Sequence, residues 1–237
     1  LYGVLAPYLQ PGDVLGHEFM GIVEEVGPDV ATLAVGDRVV VPFNISCGRC
    51  WMCQRGLFAQ CETTQNTASG KGASLFGYTS LYGSVPGGQA EYVRVPHADF
   101  GPIVIPHELP DERFLYLSDI LPTAWQAVEY ADVSANDTLA VLGLGPVGQL
   151  AVRSALLRGV GRVIGVALVP DRIEKARAHG AEVIAARDTE VVEALIEMTD
   201  GRGPDAVIDA VGMEAHGNPL SEKVIAAASR LPKPLAR

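Results

Sequence analysis

Two styles of hydrophobic patterning divide this chain. Over roughly the first 130 residues, apolar positions come in short stretches broken by glycine and proline. Residues 1–15 read as a loop with Pro7, Pro11 and Gly12. From Gly16 to Gly27, Met20, Ile22 and Val26 alternate with small or polar residues, which predicts a half-buried strand ending at the Gly27-Pro28-Asp29 turn. Further strands are predicted over Asp37–Pro42 and Ala90–Val95. The glycine- and serine-rich stretch Thr67–Gly88 lacks periodicity and predicts a surface loop. From Asp137 onward strands and helices alternate. Strands are predicted over Thr138–Leu142, Arg162–Leu168, Glu182–Ala185 and Asp205–Val211. Helices are predicted from the glycine turn at 143–148 through Leu157, over Pro170–His179 and over Thr189–Met198. This alternation predicts a parallel sheet with right-handed crossovers. The polar stretch at 129–137 places the boundary, giving domains 1–133 and 134–237.

Composition narrows the function classes. The 237 residues are 48% hydrophobic and 19% charged, a globular profile. No apolar run approaches the ~20 residues of a membrane helix. A net charge of −10 opposes binding to a phosphate backbone, so no nucleic-acid partner is expected. No signal-peptide pattern precedes the cysteines, and a cytoplasmic location is expected. The chain starts at Leu1 and stops in the tail RLPKPLAR, and both ends read as cut.

All four cysteines, Cys47, Cys50, Cys53 and Cys61, fall within Gly36–Cys61 in the spacing C-x2-C-x2-C-x7-C. Two-residue gaps aim neighbouring sulfurs at one point, and the longer loop brings in the fourth. Structural Zn²⁺ takes such an all-thiolate tetrahedral shell, which leaves no position for substrate. Two disulfides and an iron–sulfur cluster are the competing readings.

A G-x-G-x-x-G run, Gly143, Gly145 and Gly148 with Pro146 and Val147 inside it, sits where an apolar strand enters and a helix leaves. That context marks a dinucleotide-binding turn, in which glycines let the backbone approach a pyrophosphate at a helix N-terminus. The carboxylate that usually ends the second strand and binds the ribose is absent; Ala167 stands there, with Arg172 a few residues on.

Three further residues carry weaker local signals. His17 begins a strand and has Glu18 beside it; either fits an ordinary strand edge. Asp119, between apolar neighbours before a proline-initiated helix, reads equally as an N-cap or a ligand.

Together these residues resemble the zinc-dependent medium-chain alcohol dehydrogenases. Gly16–Val30 matches the family's zinc pattern G-H-E-x2-G-x5-G-x2-V, the cysteines match its structural-zinc loop, and Gly143–Gly148 matches its cofactor turn. VPFNISCGRC at 41–50, GGQAEYVRVPHADF at 87–100 and LSDILPT at 117–123 resemble its formaldehyde-dehydrogenase-like branch. The resemblance implies an α/β chain: a GroES-like, β-rich catalytic domain, then a Rossmann doubly wound parallel sheet, truncated at both ends. It implies His17 and Asp119 as catalytic-zinc ligands, Glu18 in their shell and Thr123 near the nicotinamide. It also implies structural zinc on Cys47, Cys50, Cys53 and Cys61.

Gly143, Gly145, Pro146, Val147, Gly148, Ala167, Arg172 and Thr123 would then bind the cofactor, with NAD(H) favoured over NADP(H). The substrate would be a small alcohol or hydrated aldehyde, and the complete protein a dimer or tetramer. A third zinc ligand and the proton relay would lie upstream of Leu1, so the 237 residues alone are expected to be inactive. A polyol or threonine dehydrogenase on the same scaffold is the neighbouring alternative. A non-catalytic nucleotide-binding module with a zinc-stapled loop is the alternative of another class.

Overall fold

A computed structural model describes residues 6–70, 72–187 and 189–212. By packing, the chain divides between Asp119 and Ile120. Polar composition points instead to 133/134. The difference lies in helix α1 (Ile120–Ala131), whose Ala124 and Val128 are buried in the core of the second unit. The C-terminal tail lies outside the described residues.

The first unit is built on a three-stranded antiparallel sheet in the order β1-β2-β3: β1 (Phe19–Ile22), β2 (Arg38–Val41) and β3 (Ile103–Val104). Phe19 pairs with Val41 and Ile22 with Arg38. β2 runs through the middle with all four residues buried. Arg38 survives burial because its guanidinium pairs with Asp111 and donates to the carbonyls of Pro106 (2.5 Å) and Leu109 (2.8 Å). β1 is shorter than the predicted strand.

The predicted strand Ala90–Val95 does not form. Val93 and Val95 pack against the core of Val39, Val41, Ile45 and Phe76, while Tyr92 is 76% exposed. β-Formers thus supplied the alternation without a ladder partner, and the third strand is Ile103–Val104. The stretch Thr67–Gly88 is also more than a surface loop: Phe76 is 1% exposed and stacks edge-on against Phe19 at 5.2 Å. A single buried aromatic among glycines and serines has no period to betray it.

The second unit is a four-stranded parallel sheet in the order β6-β5-β4-β7, with β4 (Thr138–Leu142), β5 (Arg162–Ala167), β6 (Glu182–Ala185) and β7 (Ala206–Asp209). The chain steps outward from β4 through β5 to β6, then returns to β4's other side, the reversal of a doubly wound Rossmann sheet. Helices α2 (Pro146–Leu157), α3 (Pro170–Ala178) and α4 (Val191–Met198) connect the strands.

Because strand side chains alternate, Leu139, Val141 and Val163 pack with α1, α2 and α3, whereas Ala140, Ile164, Val166 and Ile184 pack with Leu195 of α4. Burial on both faces is why these strands read as continuous apolar runs. Each Leu or Ile so buried contributes roughly 1.5–3 kcal/mol. No helix among the described residues is long and apolar enough to cross a membrane.

Candidate metal centres and dinucleotide turn

The four cysteines form no disulfide. Their ligand atoms all lie within 4.8 Å of one another. Two short 3₁₀ turns, Cys53–Arg55 and Phe58–Gln60, fold the loop so that Cys53 and Cys61 are buried while Cys47 and Cys50 remain partly exposed. Cys50 Sγ and Cys61 Sγ are 3.9 Å apart. Four Zn–S bonds of ~2.3 Å in a tetrahedron require about 3.8 Å between sulfurs, so the cluster fits the metal as it stands.

Donors aimed at the sulfurs support thiolate character. Cys50 N–H reaches Cys47 Sγ (3.4 Å), Cys47 N–H reaches Cys61 Sγ (3.4 Å), and the Thr63 hydroxyl donates to Cys47 Sγ (3.1 Å). Burial opposes ionisation of Cys47, but the Thr63 hydroxyl and the N–H groups of Arg49 and Cys50 win and hold its thiol down at about 6. Cys53 is pushed up to about 12 by burial and by its sulfur neighbours. A cation placed among the four sulfurs would favour the thiolate form of each.

The second cluster comprises His17, Glu18 and Asp119, again with ligand atoms within 4.8 Å. His17 Nε2 donates to Asp119 Oδ2 at 3.0 Å across 102 positions. His17 immediately precedes β1 together with Glu18; Asp119 closes the 3₁₀ turn Leu115–Ser118. Phe43 N–H donates to Ser118 C=O (3.0 Å), tying that turn to the end of β2.

The Asp119 hydrogen bond holds the His17 imidazole above its ordinary pKa against the opposing effect of burial. Two ligands on a tetrahedral Zn²⁺ at ~2.0–2.1 Å would be separated by about 3.3 Å, so this pair also fits the metal. His17 and Glu18 open onto a cleft of about 720 Å³ lined also by Leu15, Tyr78 and Gln89.

The sequence does not announce how His17 is held. Gly16, just before it, is crossed by two other glycines. A Cβ on Gly77 would lie 2.3 Å from Gly16 O, and one on Gly87 would lie 2.1 Å from it. Gly88 N–H donates to Gly16 C=O (2.7 Å). The rings of Phe43 and Tyr78 flank the imidazole at 5.9 and 6.1 Å. Asp119 is neither helical nor extended (φ −152°, ψ −69°), and its carboxylate reaches His17 as well as standing before α1.

In the second unit the glycine turn joins β4 to α2 as expected. Gly143 has φ +84°, a conformation that glycine adopts without strain. A Cβ at Gly148 would come within 1.9 Å of Gly143 O, so only glycine permits the helix to start this close to the strand. Above Gly145 there is room: the nearest neighbour to a Cβ there is Arg172 Nη1 at 4.0 Å. Pro146 begins α2, and the first-turn N–H groups that follow have no partner inside the helix.

This is a cradle a pyrophosphate fits. Ala167 ends β5 beside Ala185 of β6, and no carboxylate replaces it at that position. Gln149, another residue the sequence did not flag, donates from Nε2 to Arg172 C=O at 2.6 Å. Thr123 lies exposed in the first turn of α1.

These features recur in known proteins. Residues 2–106 match the alcohol dehydrogenase GroES-like domain and residues 146–222 the zinc-binding dehydrogenase domain. A Bacillus subtilis zinc-type alcohol dehydrogenase-like protein is 43% identical over 93% of this chain and 62% of its own length. A glutathione-independent formaldehyde dehydrogenase from Pseudomonas aeruginosa is 41% identical over 87% of this chain and 52% of its own length. The solved alcohol dehydrogenase of Thermus sp. ATN1 superposes with a TM-score of 0.76 at 37% identity, covering 86% of this chain and 56% of that one.

The chain therefore spans somewhat more than half the length of the relatives it matches. Both halves of the fold match in the order that sequence reading expected, and so the chain belongs to the zinc-dependent medium-chain alcohol dehydrogenase family.

Proposed function

We propose that this chain supplies the metal-binding and dinucleotide-binding parts of a zinc- and nicotinamide-dependent alcohol dehydrogenase acting on a small alcohol or hydrated aldehyde. The observation that carries the reading is the His17–Asp119 pair, of which His17, with Glu18, lines an open cleft. A cysteine cluster alone would serve a purely structural role. A second, oxygen- and nitrogen-lined cluster with an open side is what a catalytic metal requires.

Zinc at this site would supply a Lewis acid for the substrate hydroxyl, and a nicotinamide cofactor would supply the hydride acceptor. His17 and Asp119 would hold that metal; Glu18 would sit in its shell. Phe43 and Tyr78, packed on the imidazole, restrict its rotation. Cys47, Cys50, Cys53 and Cys61 would hold a second, structural zinc. Gly143, Gly145, Pro146, Val147 and Gly148 would take the pyrophosphate, with Ala167 and Arg172 toward the adenosine and Thr123 toward the nicotinamide. NAD(H) is the favoured cofactor. The full-length protein is proposed to be a cytoplasmic dimer or tetramer.

The test is zinc counted by mass spectrometry in the full-length protein, alongside a dehydrogenase assay over short alcohols and aldehydes. Two zinc ions per chain and cofactor reduction support the reading. One zinc and no turnover would leave the non-catalytic nucleotide-binding module.

A further inference from the structure

The adenosine end of the dinucleotide turn has three features that act in one direction. First, β5 ends at Ala167, where a carboxylate would otherwise bind the ribose hydroxyls and repel a phosphate on the 2′ oxygen. Ala167 is 8% exposed and its carbonyl accepts from Ala186 N–H (2.9 Å), so the two strand ends run on side by side. The residue that follows Ala186 is Arg187, another cation and not an acid.

Second, Arg172 brings its guanidinium to 4.0 Å from the Cβ position of Gly145, close to the turn rather than away along α3. Third, Arg172 is anchored from below. Gln149, 8% exposed on α2, donates to its carbonyl at 2.6 Å, and Arg172 N–H donates to Val169 C=O at 3.1 Å. The backbone that carries the guanidinium is thereby held against the helix that starts at the glycine turn. A planar guanidinium makes paired, charge-assisted hydrogen bonds to phosphate oxygens.

From the juxtaposition of Ala167, Arg172 and Gln149 we infer that this site accepts a 2′-phosphorylated adenosine, Arg172 being its cationic contact, so that NADP(H) binds alongside NAD(H). The inference rests on the dinucleotide reading above and deepens it. The loss of the carboxylate removes two things at once: hydrogen bonds that favour the free ribose and repulsion that excludes the phosphate. Arg172 then adds attraction for the phosphate alone. Gln149 is a positioning residue, since it acts through the Arg172 backbone carbonyl. Asp171 is the acidic neighbour on α3; it lies in that helix's first turn, next to Arg172 in sequence.

The test uses ADP-ribose and 2′-phospho-ADP-ribose, which differ only in the phosphate and need no zinc and no turnover. Each is titrated by calorimetry into the chain at fixed ionic strength. The expected result is dissociation constants within about tenfold of each other. Arg172→Gln should weaken the 2′-phospho compound by about tenfold or more while changing ADP-ribose less than about threefold. Ala167→Asp should likewise weaken the 2′-phospho compound, by restoring the repulsion, without weakening ADP-ribose; if that buried substitution unfolds the chain, Arg172→Gln, at an exposed position, decides.

Rejection of the 2′-phospho compound by more than about 100-fold in the unmodified chain would overturn the inference alone. So would an equal loss for both compounds in Arg172→Gln, because the guanidinium would then be serving the pyrophosphate. Binding of neither compound would overturn the dinucleotide reading and this inference together.

Discussion

His17 Nε2 and Asp119 Oδ2 meet at 3.0 Å across 102 residues of sequence. The first stands at the entrance to β1 and the second follows a 3₁₀ turn tied to the end of β2. Their meeting is what sets the proposed metal site apart from a histidine at a strand edge and an aspartate before a helix.

Removing either partner should remove one metal and spare the other. In the full-length protein, His17→Ala or Asp119→Ala is expected to reduce zinc from two ions per chain to one, read by mass spectrometry. Cys61→Ser should also lose one ion, but with the fold: unfolding should become easier by more than about 4 kcal/mol, the range associated with loss of a structural metal. Equal thermal stability of Cys61→Ser and the parent would contradict a structural role for the cysteines.

The glycine crossing beside His17 predicts damage at a distance from the metal. A Cβ on Gly87 would press to 2.1 Å on Gly16 O, backbone against backbone, with no side chain free to give way. Gly87→Ala should cost about 1–3 kcal/mol and displace His17. Loss of the His17-site zinc with the cysteine-site zinc retained is the expected metal count.

A parallel argument applies to the dinucleotide turn. Gly148→Ala would put a methyl group 1.9 Å from Gly143 O and force α2 away from β4. ADP-ribose binding should fall at least about tenfold, while zinc at the cysteine loop is unchanged. Undiminished binding would show that the turn does not hold the ligand.

Acid sensitivity has two identifiable contributors. Asp99 accepts from Thr32 N–H (2.8 Å), the Thr32 hydroxyl (2.7 Å) and Ala31 N–H (2.9 Å), and these bonds hold its carboxyl below the usual range. Asp137 is held low by the Ser134 hydroxyl (2.6 Å) and N–H (2.7 Å). A carboxylate depressed on folding stabilises above its unfolded pKa of ~3.9 and loses that contribution as pH falls through its lower folded value. Thermal melts should therefore drop below pH ~4 in the parent and drop less in Asp99→Asn or Asp137→Asn. Parallel pH profiles would remove these residues from the account.

Much of the second unit is legible in sequence. Glu182–Ala185 appears as β6 at its expected bounds, and Arg162–Ala167 and Pro170–Ala178 end one residue early. Parallel strands buried on both faces leave unbroken apolar runs, and glycine and proline mark the turns between them, so local pattern and final structure agree. The first unit is less legible. Its sheet is short, Ala90–Val95 pairs with no strand among the described residues, and Phe76 is buried in a stretch with no pattern.

What the sequence determines by itself is therefore what depends on spacing along the chain. The C-x2-C-x2-C-x7-C loop gathers its own sulfurs because short gaps leave them nowhere else to go, and the strand–glycine–helix turn makes its own cradle. Only the tertiary structure decides what depends on distant segments meeting. It sets Asp119 on His17, lays Gly77 and Gly87 across Gly16, and has Gln149 hold Arg172 beside Gly145. The physical reason is that a contact between distant segments is specified by the packing of the elements between them, and no single stretch of sequence carries that packing.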